Sequence, residues 1–180
     1  VPSWLTCTAG ALSGTPTNDE VGSHSVVITA SDVAGATATD TFTITVANTN
    51  DAPTITSTAV TSATEDAAYS YTTTASDVDS GDVVTLACTT VPSWLTCTAG
   101  ALSGTPADAN VGSHSVVITA SDVAGAAATD SFTITVANTN DAPAISSTAV
   151  TAASEDAAYS YAITTSDDDS DSSDSWTITS

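Results

Sequence analysis

Lysine and arginine are both absent from this 180-residue chain, so its 21 acidic residues stand unopposed at a formal net charge of −21. A surface without cationic side chains has nothing with which to neutralise phosphates, which excludes nucleic acids and anionic membranes as partners. The same absence removes every trypsin site. Apolar runs long enough to cross a bilayer are missing, as is a signal peptide, and the segment reads as soluble. No Asn-x-Ser/Thr sequon occurs, although Ser and Thr abound. Phosphate-cradling glycine loops and the glycine-rich nonapeptide of β-rolls are missing too. Neither of the two histidines accompanies a recognisable nucleophile and orienting acid, which argues against an enzyme.

What the chain does have is oxygen-rich and apolar by turns. Unopposed carboxylates attract cations, and Ca²⁺ is the natural candidate because hard divalent ions prefer carboxylate and carbonyl oxygens. Few aromatics and high acidity are also marks of disorder. The 41% hydrophobic fraction and clear period-2 runs argue for a folded chain instead. The run at 166–175 is the exception: it is all Asp and Ser, and is expected to order only with cations bound.

A long repeat organises the sequence. Val-Pro-Ser-Trp-Leu-Thr-Cys-Thr-Ala-Gly at 1–10 recurs identically at 91–100, and 1–50 differs from 91–140 only at positions 17–20, 37 and 41. A 90-residue period is too long for a solenoid turn and fits one β-sandwich domain per repeat. The polar, proline-ended stretch 48–53 reads as a linker. The expected organisation is the C-terminal part of one repeat at 1–50, a complete repeat at 53–141 and the N-terminal part of a third at 143–180. The ends would then cut through domains, or neighbouring chains would complete them head to tail.

Residue alternation favours strands. His114, Val116, Ile118 and Ala120 fall on one face, Phe132, Ile134 and Val136 alternate with hydroxyl residues, and Tyr69 and Tyr71 flank Ser70. Asp122-Val123-Ala124-Gly125 is a turn signal. Short strands with frequent turns predict an all-β sandwich with Greek-key connections.

Ordered motifs carry a family resemblance. Pro-Ser-Trp-Leu (2–5, 92–95), Gly-Ala-Leu-Ser-Gly-Thr-Pro (10–16, 100–106) and Val-Gly-Ser-His-Ser-Val (21–26, 111–116) are followed by Thr-Ala-Ser-Asp (29–32, 119–122). Phe-Thr-Ile-Thr-Val-Ala-Asn-Thr-Asn-Asp-Ala-Pro (42–53, 132–143) closes the series. Nearly the whole chain resembles the dystroglycan-type cadherin-like and Ig repeats of large bacterial surface proteins and adhesins. The resemblance implies tandem Ig-like or cadherin-like sandwiches at the cell surface, with calcium at their junctions.

It also implies a ligand set. The cadherin linker pattern Asp-x-Asn-Asp-Asn looks like Asn48, Asn50 and Asp51, and again like Asn138, Asn140 and Asp141, with the first Asp changed to Asn and the last Asn to Ala. The early glutamate corresponds to Glu65 or its neighbour Asp66, and the Asp-x-Asp to Asp77 and Asp79, and to Asp167 and Asp169. The later aspartate corresponds to Asp122, and to Asp32 in the preceding copy. The Asp-Arg-Glu segment has no counterpart, although Asp19-Glu20 and Asp108 lie nearby. Two carboxylates about 4 Å apart repel by roughly 4 kcal/mol at an effective dielectric near 20, so a bound Ca²⁺ would reverse a splaying force.

In an exported protein Cys88 and Cys97 are expected to pair across a hairpin at 89–92. Cys7 repeats Cys97, and Ile178 stands where the third copy would carry Cys88. Trp4 and Trp94 read as core anchors, Trp176 as an apolar core position, and His24 and His114 as half-buried structural residues. Three functions follow: a calcium-stiffened spacer whose partners are neighbouring repeats or subunits of the same protein and a homophilic or surface ligand, a fibre subunit that exchanges strands, or a module that binds carbohydrate or protein. The spacer reading is favoured. The loop at 17–20 and 107–110, where the two copies differ most, is the place to look for a binding role.

Overall fold

A computed structural model of the chain describes residues 1–169 together with 175 and 177. The expectations for Trp176, for the Ile178 position and for the 170–174 part of the acidic run lie outside the described residues. The fold is all-β. In chain order the strands begin with β1 (Thr6–Thr8), β2 (Ala11–Ser13), β3 (Gly22–Ser31), β4 (Thr37–Val46) and β5 (Thr54–Ile55). There follow β6 (Ser62–Thr64), β7 (Tyr69–Thr72), β8 (Ala75–Ser76), β9 (Thr85–Thr90), β10 (Leu95–Thr98) and β11 (Ala101–Gly104). The last are β12 (Gly112–Ser121), β13 (Ala127–Ala137), β14 (Ala144–Ile145) and β15 (Thr165–Ser166). Single 3₁₀ turns at Asn18–Glu20 and Asp108–Asn110 precede β3 and β12, and no α-helix occurs among the described residues.

The chain forms two compact units. The first gathers Val1–Thr56, Ala75–Thr85 and Ala120–Ala128; the second gathers Ser57–Thr74, Leu86–Thr119 and the chain from Thr129 onward. In the first, β3 and β4 pair antiparallel from Gly22 opposite Val46 to Ser31 opposite Thr37. Val26, opposite Phe42, is fully buried, while the Ser and Thr residues between the inward positions are exposed. β1 and β2 make a short hairpin, and β5 pairs with β8.

The second unit shows why the alternation reads as it does. One sheet has the order β10-β11-β7 and the other β6-β13-β12-β9, with β6 parallel to β13. Strands adjacent in sequence repeatedly change sheets, as β9 and β10 do, which is the Greek-key habit. Period-2 alternation gives each sheet one apolar face. From the first sheet come Tyr69, Tyr71, Leu95 and Leu102; Val116, Ile118 and Ile134 come from the second, and together they form the core. Phe132 lies edge-on to Tyr71 at 5.7 Å. Trp94 sits edge-on to Tyr69 and His114 and packs on this core as an anchor. His24 and His114 are half-buried, and each ring Nε2 lies 2.6 Å from the carbonyl of Glu20 or Asn110, tying the 3₁₀ turn to the next strand. Gly104 allows β11 to pass the Trp94 carbonyl, where an added Cβ would collide.

Cys88 and Cys97 are disulfide-bonded. The expected hairpin is corrected, however: Cys88 is on β9 and Cys97 on β10, which belong to different sheets, so the bridge ties the two layers together. The segment between them crosses from sheet to sheet instead of folding back. On a chain-entropy basis, closing so short a loop stabilises by about 3 kcal/mol. Cys7 is free and exposed.

Tyr69 gives the core a pH signature. Its hydroxyl donates to the Val60 carbonyl at 2.7 Å, and burial, then Tyr71, push its pKa up to about 12. An unfolded phenol ionises near ~10, so between about 10 and 12 the folded chain holds a proton that the unfolded chain has lost. Stability is therefore expected to fall as pH rises through this window. Denaturant titrations at stepped alkaline pH should show the slope in the parent chain and a flatter one in Tyr69→Phe.

Candidate metal centre

Two sets of carboxylates converge, one in each unit. In the first unit Asp77, Asp79 and Asp82 each bring an oxygen within 4.8 Å of the others. The local fold explains the convergence. Asp77 Oδ1 accepts the Asp79 N–H at 2.9 Å, and the Asp82 N–H donates to the Asp79 carbonyl at 3.2 Å, with Gly81 at φ +95° permitting the reversal. Asp79 Oδ2 accepts the Asp51 N–H at 2.7 Å, which joins the linker to this loop. Asp79 is 5% exposed, and two oxygens, Asp77 Oδ2 and Asp79 Oδ1, are buried without any hydrogen-bond donor.

Other expected ligands in this unit are held differently. Asp122 Oδ2 accepts from Asn50 Nδ2 at 2.8 Å, while its Oδ1 accepts the N–H groups of Gly125 and Ala126. The Asn50 bond, together with those turn amides, outweighs burial and holds the Asp122 carboxyl below its usual range. Asp51 Oδ2 accepts from Asn18 Nδ2 at 2.9 Å. Asp32 caps its own turn through the Ala36 N–H. Glu20 accepts from the Thr17 N–H and hydroxyl, which lower its pKa, so it caps the 3₁₀ turn. Asn48 and Asp19 lie outside the converging carboxylate sets.

In the second unit Glu65 belongs to two groups, one with Asp66 and Asp141, the other with Asp108 and Asp169. Glu65 and Asp169 are both buried, at 3% and 6% exposure. The linker supplies their donors: Thr139 N–H to Glu65 Oε2 at 3.2 Å, Asn138 Nδ2 to Asp169 Oδ1 at 2.8 Å and Asp141 N–H to Asp169 Oδ2 at 2.7 Å. Asn140 Nδ2 donates to the Asp141 carbonyl, and Asp167 Oδ1 accepts the Asp169 N–H. Thus Asp167 shapes the loop while Asp169 joins the cluster.

Electrostatics run against this crowding. The Thr139 N–H lowers the Glu65 pKa, but burial and the charges of Asp108, Asp66 and Asp141 outweigh it, and the net shift is upward. Asp141 is raised by burial and then by Asp66, Asp169, Asp168 and Asp167. Asp82 is raised by burial and then by Asp77, Asp122 and Asp79. A chain without lysine or arginine offers these groups no ammonium or guanidinium side chain to pair with. The donor set is all oxygen, and two of its buried oxygens lack a donor, which suits a hard divalent cation with carbonyls or water filling the remaining positions. Asp82 and the Asn18–Asp51 bond were not anticipated from sequence. The spacing Asp-x-Asp-x-x-Asp around Gly81 was the available signal for Asp82.

Two face-packed sheets, with carboxylate clusters fed by the Asn-Thr-Asn-Asp linkers, define a cadherin-like β-sandwich repeat. The profile of the family described as "Putative Ig domain" matches residues 1–47 and 52–137, and the chain belongs to that family. No curated protein matches. Among solved structures, protocadherin gamma B2 extracellular cadherin domains 1–5 share 24% identity over 92% of this chain and 37% of that one, with a TM-score of 0.56. Protocadherin gammaB7 domains EC3–6, in a cis-dimer structure, share 20% identity over 94% and 50%, with a TM-score of 0.57. These likenesses concern the fold. An endo-fucoidan hydrolase of glycoside hydrolase family 107 shares 30% identity over 77% of this chain but only 22% of its own, at a TM-score of 0.42. The chain thus spans between about a fifth and a half of these solved chains. Ig-like and cadherin-like domains are typically extracellular and non-enzymatic. No helix among the described residues is long and apolar enough to cross a membrane.

Proposed function

We propose that this chain is a structural spacer of an extracellular, surface-exposed adhesin or filament, stiffened by Ca²⁺ where successive repeats join. The observation that carries the reading is the pair of donor-less, buried oxygens on Asp77 and Asp79 in a chain with no basic residue. Burying anionic oxygens without a donor costs free energy that a divalent ion would repay. On this reading residues 53–141 form one complete repeat, with parts of its neighbours at 1–50 and 143–180. Asn50, Asp51, Asp77, Asp79 and Asp122 serve the first junction, with Asn48 beside them. Glu65, Asp66, Asp108, Asn138, Asn140, Asp141, Asp167 and Asp169 serve the second. When bound, the ion would supply positive charge and directional oxygen coordination. The protein's own side chains orient the linker: Asn50 reaches Asp122, the Asp51 amide reaches Asp79, and Asn138 and the Asp141 amide reach Asp169. Its partners are neighbouring repeats of the same protein.

Calorimetric titration of CaCl₂ into the metal-free chain tests this. Saturable binding in the range of about 10⁻⁴–10⁻³ M, typical of extracellular modules, is expected. Absence of heat at millimolar calcium contradicts the reading.

A further inference from the structure

Asp82 lies outside the ligand pattern that the family resemblance supplies, yet the fold delivers its carboxylate to the oxygens of Asp77 and Asp79. The three residues fall on one short run, Asp77-Val78-Asp79-Ser80-Gly81-Asp82, folded back on itself by the Asp82 to Asp79 backbone bond. Two contrasts separate this run from the other acidic residues of the unit. Asp122 has both oxygens committed to amide donors, whereas Asp77 and Asp79 each have one oxygen so committed and one, Asp77 Oδ2 and Asp79 Oδ1, buried with no donor. The Asp79 side chain is also 95% shielded from water, so water does not replace the missing donor.

We propose that Asp82 is a cation ligand, and that Asp77, Asp79 and Asp82 form a self-contained loop site for a hard divalent cation. The proposal rests on the calcium reading above and adds to it a ligand and an order of events. All three carboxylates come from one turn, so the loop takes its ion without carboxylates from the linker. The Asp51 amide serves only to orient Asp79 Oδ2. Loop filling therefore precedes, and is separable from, coordination by linker residues. The third copy differs in sequence here, with Ser172 at the position of Asp82 and Asp171 at that of Gly81. The Asp-x-Asp-x-x-Asp spacing is thus a property of particular repeats.

The test is CaCl₂ titration of the full chain, comparing parent, Asp82→Ser, Asp82→Asn and Asp40→Asn. Asp40 is an exposed strand residue outside both clusters and controls for the lost charge. The expected result is about tenfold weaker binding, or loss of one equivalent, in both Asp82 variants, with Asp40→Asn within about twofold of the parent. In the parent, the amide resonances of 80–82 should shift at lower calcium than those of linker residues Asn48 and Thr49; the Asp51 amide, bonded to Asp79 Oδ2, moves with the loop. The proposal is overturned if the parent binds calcium and the Asp82 variants match it, or if Asp40→Asn weakens binding equally. It is also overturned if linker amides shift first. A parent chain that binds no calcium removes the spacer mechanism and this site together, and so is distinguishable from failure of the Asp82 assignment alone.

Discussion

Bringing the metal-free chain to 10 mM calcium is expected to raise its unfolding free energy by about 1.4–2.7 kcal/mol for each site filled. The figure follows from linkage: a ligand bound only by the native state stabilises by RT ln(1 + [L]/Kd), and dissociation constants of about 10⁻⁴–10⁻³ M give ratios of roughly 10–100. Denaturant unfolding with calcium and with chelator measures it. The sign of a neutralising substitution should differ between the two conditions. Glu65 sits among Asp66, Asp108 and Asp141 with its pKa displaced upward, so its charge is held at a cost in the metal-free fold. Glu65→Gln keeps an oxygen to accept the Thr139 N–H and removes that charge. The variant is expected to be more stable than the parent in chelator, and to gain less from calcium. A purely structural glutamate would weaken the fold under both conditions by a similar amount.

Ile118→Ala is expected to cost about 2–5 kcal/mol, enough to threaten the sandwich at moderate temperature. Ile118 lies on β12 with no exposed surface, in the core that faces Tyr69, Tyr71, Leu95 and Leu102 across the two sheets. Truncation removes apolar contact and leaves a cavity that rigid neighbours fill poorly. Val117, the next residue on the same strand, points away from that core and is only half-buried, so Val117→Ala should cost much less. Paired thermal melts of the two variants check the inward and outward assignment directly.

The contrast between Ile118 and Val117 marks what the sequence carries plainly. Alternation on β7, β12 and β13 encodes which side chains face inward, because a strand's period of two follows from backbone geometry alone. The 90-residue repeat adds the sandwich scale, and the ordered motifs add the family. The disulfide was legible as a pair but not as a link between layers. Nine residues of separation fit either a hairpin or a sheet-to-sheet crossing, and only the pairing of β9 with β12 and β10 with β11 decides.

The acidic residues were harder to sort, since aspartate has two common uses. Asp122 and Asp51 match the ligand pattern in sequence, and in the metal-free chain their oxygens accept from Asn50, the Gly125 and Ala126 amides, and Asn18. An aspartate that caps a turn and one that awaits a cation look alike in sequence, because both need an adjacent reversal. Glu65, Asp79 and Asp169 share burial with Asp122 and are set apart by convergence with other carboxylates, which depends on tertiary packing. Asp82 is hard to read from sequence for the opposite reason: it stands past a glycine, where the turn's path decides whether it faces its neighbours.

Small-angle scattering of this chain, first in calcium and then in chelator, measures the switch most directly. If divalent ions lock the linkers, the calcium curve will show a longer maximum dimension and a more rod-like profile, and chelation will shorten and broaden the distribution. Superimposable curves at calcium concentrations well above saturation would contradict the account.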